Sequence, residues 1–106
     1  MKFKAGVSLA GVKQHTFQAM SIADRVMVLL GFRGEITVTS ANDGVHVPGS
    51  KHGTGDAFDI RIWDLTTHDV RLLFVQILGL VLNTLLSRGW QVILESDHIH
   101  AEYDPD

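Results

Sequence analysis

Two short stretches carry side chains of the types that bind and use a metal ion. Ser50-Lys51-His52-Gly53-Thr54-Gly55-Asp56-Ala57-Phe58-Asp59 supplies a histidine and, seven residues on, an aspartate. Glu95-Ser96-Asp97-His98-Ile99-His100 supplies carboxylates followed by two histidines that alternate along the chain. Imidazoles and carboxylates are the ligands a catalytic zinc uses when it keeps one coordination position open for water. Metal-assisted hydrolysis is therefore the first chemistry to test. Two other chemistries lack their signatures. Gly49 to Gly55 is not followed by Gly-Lys-Ser/Thr or by a helix pattern, which excludes a phosphate-binding loop of that type. Ser50 lacks the Gly-x-Ser-x-Gly elbow of a serine nucleophile. His15 and His68 stand apart from both stretches and read as ordinary surface or core histidines.

The elements that must position these groups follow from periodicity. Apolar residues at Phe17, Met20, Ile22, Ala23, Val26, Met27, Leu29 and Leu30 predict an amphipathic helix from about Thr16 to Leu30, with Gly31 as its stop. The lead-in through Gly11 shows no period and reads as a loop or arm. Glu35 to Thr39 alternates polar and β-branched residues and reads as a strand. Ser40 to Lys51 is rich in Asn, Asp, Gly, Pro and Ser, the composition of a long functional loop. Ala57 to Trp63 alternates again, with Phe58, Ile60 and Ile62 on one face and Ala57, Asp59 and Arg61 on the other. Thr66 or Thr67 caps a helix running to about Ser87, with Asp69 well placed in its first turn. Its apolar stretch from Leu72 to Leu86 is too short to span a bilayer and is broken by Gln76 and Asn83, so it reads as a core helix. Gly79 within it allows close packing. After Gly89, Trp90–Glu95 and His98–Tyr103 form a hairpin around Ser96-Asp97. The expected fold is α+β: a small antiparallel sheet with helices packed on one face, in a single domain over residues 1–106.

Strand alternation places His98, His100 and Glu102 on one face of the last segment and Ile99, Ala101 and Tyr103 on the other. The apolar set would pack on the helices, so the histidines and Asp59 share the opposite surface if their strands are neighbours. His52 lies in the loop just before, where Gly53 and Gly55 let the backbone curl its ring back towards Asp59.

Composition bounds the rest. The chain has 106 residues, 45% of them hydrophobic, and no cysteine, so this small domain gains nothing from disulfides. A bound metal would add to its stability, because metal binding is coupled to folding. Net charge is −3 and the nine basic residues are scattered from Lys2 to Arg88, a poor footprint for nucleic acid. The start, Met1-Lys2-Phe3-Lys4-Ala5-Gly6, lacks the apolar stretch of a signal peptide. The expectation is a soluble monomer with no nucleic-acid partner and no membrane insertion.

Ser50-x-His52-x-x-Gly55-x-Ala57-x-Asp59 followed by Asp97-His98-Ile99-His100 resembles the zinc D-Ala-D-Ala carboxypeptidase family. That family includes the vancomycin-resistance dipeptidases and the phage L-alanyl-D-glutamate endolysins, and hedgehog signalling domains share its fold. The resemblance spans the second half of the chain and implies a hedgehog-like, DD-peptidase-like fold and a zinc peptidase acting on peptidoglycan stem peptides. A phage or prophage endolysin would be made in the cytoplasm without a signal peptide and act on the bacterial wall. By resemblance, His52, Asp59 and His100 are the Zn2+ ligands, Asp97 is the catalytic base, and His98 lies beside the metal and stabilises the oxyanion. Glu95-Ser96-Asp97-His98 also fits a Glu-x-x-His pattern, which leaves Glu95 as the alternative base. Ser50 supports the loop or partners a ligating imidazole, and Glu102 is either such a partner or an exposed strand carboxylate. One position departs from the family. Where its members often carry Ser-Gly-Tyr/Phe-Arg, whose arginine holds the substrate's carboxylate, this chain reads Ser40-Ala41-Asn42-Asp43. Arg61, Lys51 and His46 are the candidates to replace that arginine. The runner-up function is a catalytically silent metal-binding structural module, such as a phage tail component with the same fold.

Overall fold

A computed structural model describes residues 1–32, 35–42 and 51–105. Seven elements follow in the order β1 (Lys2–Phe3), α1 (Gln14–Leu29), β2 (Thr37–Ser40), β3 (Ala57–Arg61), α2 (His68–Leu85), β4 (Trp90–Leu94) and β5 (His98–Tyr103). The five strands form one sheet in the order β1-β2-β3-β5-β4. The fold is α+β, as the sequence pattern implies.

The sheet differs from expectation in one respect: it is mixed, not antiparallel. The lead-in arm, expected as loop, contributes β1, which pairs parallel to β2 through Lys2↔Thr37 and Phe3↔Val38. Lys2 N donates to Ile36 O at 2.9 Å and Lys4 N to Val38 O at 2.9 Å. A two-residue strand is too short to carry a readable alternation, so only its partner edge reveals it. The other pairings are antiparallel.

One face of the sheet is apolar and the helices cover it. Phe58 and Ile60 of β3 and Ile99 and Ala101 of β5 are buried in one core with Ala19, Met20, Ala23, Val26 and Met27 of α1 and Phe74, Leu78 and Leu82 of α2. α2 begins at a sequence-encoded cap: Thr67 Oγ1 accepts from Val70 N at 3.2 Å, and Asp69 stands in the first turn. A Cβ built on Gly79 would lie 3.8 Å from Val92 Cγ2, so the helix packs closely on β4 there. The expectation of a core helix holds for only one stripe of α2. Phe74, Leu78 and Leu82 recur at every fourth position and are buried, whereas Leu72, Leu73, Leu80 and Leu85 are exposed. By length and composition alone α2 could cross a membrane, but its buried stripe is part of this domain's core.

The arm before α1 is tied to the head of β3 by a buried acid. Asp56 accepts from Lys13 Nζ at 2.8 Å, from Thr54 Oγ1 at 2.7 Å and from His15 Nε2 at 2.7 Å. His15, unremarkable in sequence, also sits edge-on to Trp90 and Tyr103. Burial opposes ionisation of Asp56, but the hydrogen bonds from Lys13, Thr54 and His15 outweigh it and hold the carboxyl below its usual value. Such a group stabilises the fold above its unfolded pKa, about 3.9, and that contribution is lost as pH falls through the folded value. Asp56→Asn is therefore expected to cost about 1–3 kcal/mol near neutral pH. The difference between wild type and variant should shrink as pH drops below about 4, read from urea unfolding midpoints at a series of pH values.

Candidate metal centre

β3 and β5 are neighbours, and their register fixes the site. Asp59 lies opposite His100 and Arg61 opposite His98, with all four on the face away from the helices. Burial of Phe58, Ile60, Ile99 and Ala101 on the other face locks this register, because a slip of one residue would turn every side chain over.

His52 arrives from the loop before β3. That loop must pass close to the arm before α1, and Gly55 makes this possible. Its φ is +79°, and a Cβ there would lie 2.0 Å from Gly11 O. Thr16 Oγ1 donates to Gly55 O at 2.7 Å and Lys13 N to the same oxygen at 3.1 Å, which closes the crossing. The glycine of the His-x-x-Gly-x-Ala-x-Asp pattern thus has a steric cause.

Three potential ligand atoms, one each from His52, Asp59 and His100, all lie within 4.8 Å of one another, and the group can hold a metal ion. Asp59 Oδ1 is 2.8 Å from His100 Nδ1, 3.3 Å from His52 Nε2 and 3.7 Å from His98 Nε2. The outer nitrogens of the two ligating rings are held as well. His52 Nδ1 is 2.6 Å from Ala41 O, a carbonyl that can only accept, so this nitrogen carries the proton. In the neutral ring the Nε2 lone pair then faces an oxygen of Asp59. His100 Nε2 is 3.0 Å from Glu102 Oε1 while its Nδ1 faces Asp59, so the ring stands between two carboxylates. The cluster holds more acceptors than donors unless a cation joins it, either a proton or a metal. A ligating histidine whose second nitrogen is bound to a carbonyl or carboxylate is the usual arrangement at metal sites. The residues therefore fit a metal on their own geometry.

Electrostatics agree with that surplus of acceptors. Burial alone would raise the pKa of Asp59, but the hydrogen bonds from His100 and His52 and the nearby charges of His52 and His98 hold it well below the carboxylate range. The hydrogen bond to Asp59 raises the pKa of His100; burial works against this, and Glu102 adds to it.

The remaining expected residues divide. His98 lies outside the three-ligand group, and its Nδ1 is 2.7 Å from Asp97 Oδ1. Asp97 is largely exposed and lines a cleft of about 330 Å³ together with Lys4, Thr39, Asp59, Arg61, Trp63 and His98. Glu95 is exposed at the end of β4 and is not among the residues lining that cleft. Glu102 faces the site and partners His100. Lys51 pairs with Asp104 at 3.8 Å, and Arg61 stands in the cleft with its Cζ 4.0 Å from the centre of the Trp63 ring. His46 and Ser50 lie outside the described residues. Sequence reasoning missed Lys4, Thr39 and Trp63 in the cleft. Trp63 had one available signal, its place two residues after Arg61 at the end of the alternating run.

No family model, curated protein or solved structure matches this chain. The chemistry of the site therefore rests on its own residues.

Metal-stripped protein is expected to bind about one divalent ion per chain. His52→Ala and Asp59→Asn should abolish binding, and Glu102→Gln should weaken it by about 10- to 100-fold. Ligating imidazoles must shed protons, and Asp59 holds the proton of His100 more tightly than water does. Affinity should therefore fall as the solution is acidified, with protons released on binding. Calorimetric titration across about pH 5 to 8 measures both, and affinity unchanged over that range would exclude the two histidines as ligands.

Proposed function

We propose that this chain is a zinc-dependent peptidase that hydrolyses peptide bonds in peptidoglycan stem peptides. It would be of the D-Ala-D-Ala carboxypeptidase and L-alanyl-D-glutamate endopeptidase type, with a hedgehog-like fold, working as a monomeric endolysin domain on the bacterial wall. The observation that carries this reading is the three-ligand group, whose Asp59 lines an open cleft together with Asp97 and His98. A structural zinc is closed by four protein ligands, whereas a catalytic one has three and an open position. Two histidines and a carboxylate also suit Fe(II), whose open sites serve oxygen chemistry. The acid beside this cleft and the two sequence motifs favour hydrolysis.

A zinc ion held by His52, Asp59 and His100 would supply an acidified water, its pKa lowered to about 7, and would polarise the peptide carbonyl. The chain's own groups do the rest. Asp97, an exposed residue lining the cleft, takes a proton as general base and returns it to the leaving amine as general acid. His98, hydrogen-bonded to Asp97, stands on the same side as Asp59 and offers its Nε2 to the developing oxyanion. Glu102 holds the His100 ring, and Ala41 O holds that of His52, so that neither turns during the reaction.

The test is zinc-loaded protein incubated with purified peptidoglycan, the released ends being identified by mass spectrometry. New amino and carboxyl termini within the stem peptide are expected. Asp97→Ala should lower the rate by about 10²- to 10⁴-fold while metal content is unchanged, and Glu95→Ala should leave it nearly intact. The reverse pattern would move the base to Glu95. A fully metallated wild type that releases nothing would sink the peptidase and favour the silent structural module.

A further inference from the structure

We propose that Lys4 and Arg61, backed by Trp63, form the pocket that grips a carboxylate of the peptide substrate beside the metal group. This rests on the peptidase reading above and adds the residues that set its specificity. The cleft next to Asp59 collects two cations, Lys4 from the end of β1 and Arg61 from β3. Neither has an ion-pair partner among the described residues. The two acids in the same cleft are already engaged, Asp59 by its imidazoles and Asp97 by His98. The positive charge facing the cleft is thus left for an incoming anion.

Position and preorganisation point the same way. Arg61 is two residues beyond Asp59 on one face of one strand, roughly 7 Å along β3. An anion held there lies about two residues' reach from a carbonyl placed at the metal group. The Arg61 guanidinium is stacked over the ring of Trp63, a residue 70% exposed, and this fixes the planar fork that pairs with a carboxylate in bidentate fashion. Thr39, on β2 between the two cations, adds a hydroxyl to the same wall. The loop after β2 does not offer a cation at Asn42, which is committed elsewhere: its Nδ2 donates to Ala10 O at 2.6 Å. The mixed sheet is therefore functional, since β1 is what brings Lys4 to the cleft.

The probe is the synthetic stem pentapeptide L-Ala-γ-D-Glu-L-Lys-D-Ala-D-Ala. One counterpart is amidated at the D-Glu α-carboxylate and another at the C-terminus. Binding to the zinc-loaded protein is followed by Trp63 fluorescence, with Trp63→Phe as the control for signal from Trp90. Cleavage of each peptide is followed separately. Amidating the gripped carboxylate should weaken binding and raise KM by roughly 10- to 100-fold in wild type. The same amidation should have little further effect in Arg61→Gln or Lys4→Gln. Which amide does this identifies the carboxylate. If both variants cleave all three peptides as well as wild type does, the pocket is overturned while the peptidase stands. If nothing is cleaved but binding still depends on the carboxylate and on Arg61, the pocket stands and the peptidase falls. Equal losses with charged and amidated peptides would reduce both residues to a structural role and end the proposal.

Discussion

A single part-buried carboxylate oxygen organises this molecule. Asp59 Oδ1 has three imidazole nitrogens within 3.7 Å, and each arrives from a different point of the chain's course: the loop before β3, the start of β5 and its middle. A carboxylate in that environment cannot stand alone, because an unpaired buried charge costs several kcal/mol. The fold is consequently arranged to keep the imidazoles in place. The apolar residues on the reverse of β3 and β5 set the register, and Gly55 lets the loop cross the arm tightly enough to deliver His52. The carbonyl of Ala41 and the carboxylate of Glu102 then decide which ring nitrogens face inward.

Much of this was legible in the sequence, for identifiable reasons. Strand alternation is a local property, so the shared face of Asp59, His98 and His100 follows from spacing alone once the two strands are neighbours. The helix ends were legible where side chains make them, as at Thr67, and shifted where they do not: α1 begins at Gln14, and its Lys13 cap makes no side-chain hydrogen bond. What the sequence hid depends on long-range partners. β1 has no pattern of its own, and its place in the sheet is set by the edge that β2 presents. Lys4 and Asp56 read as ordinary polar residues because their roles exist only after segments some 35 to 55 positions away come together. Likewise the composition of α2 announced a buried helix, but an apolar helix packed against one layer can bury only the stripe that meets it.

The site's two sides divide the labour. On one side, the Ala41 carbonyl and the Glu102 carboxylate immobilise the ligating rings, and partial burial strengthens those interactions. Towards solvent, the cleft stays open and polar, walled by strands at the β1 end of the sheet. A closed version of the same cluster would bind a cation and do nothing else. Among the described residues the group has three ligands and lies beside an open cleft, and that combination makes a binding site a candidate for catalysis.

Asp56 and Asp59 sharpen the point, being two acids three residues apart with opposite uses. Asp56 is paired with Lys13 and also accepts from Thr54 and His15. With an ammonium, a hydroxyl and an imidazole on it, Asp56 holds the arm to the sheet. Asp59 faces imidazoles alone, at His100 Nδ1, His52 Nε2 and His98 Nε2. A ring nitrogen can meet a carboxylate with a proton or turn its lone pair to a metal beside it. A divalent cation among these atoms would balance the carboxylate and bind the lone pairs together. The difference between a structural acid and a metal ligand in this fold therefore lies in the partner: a lysine closes the site, and imidazoles leave a place for a metal.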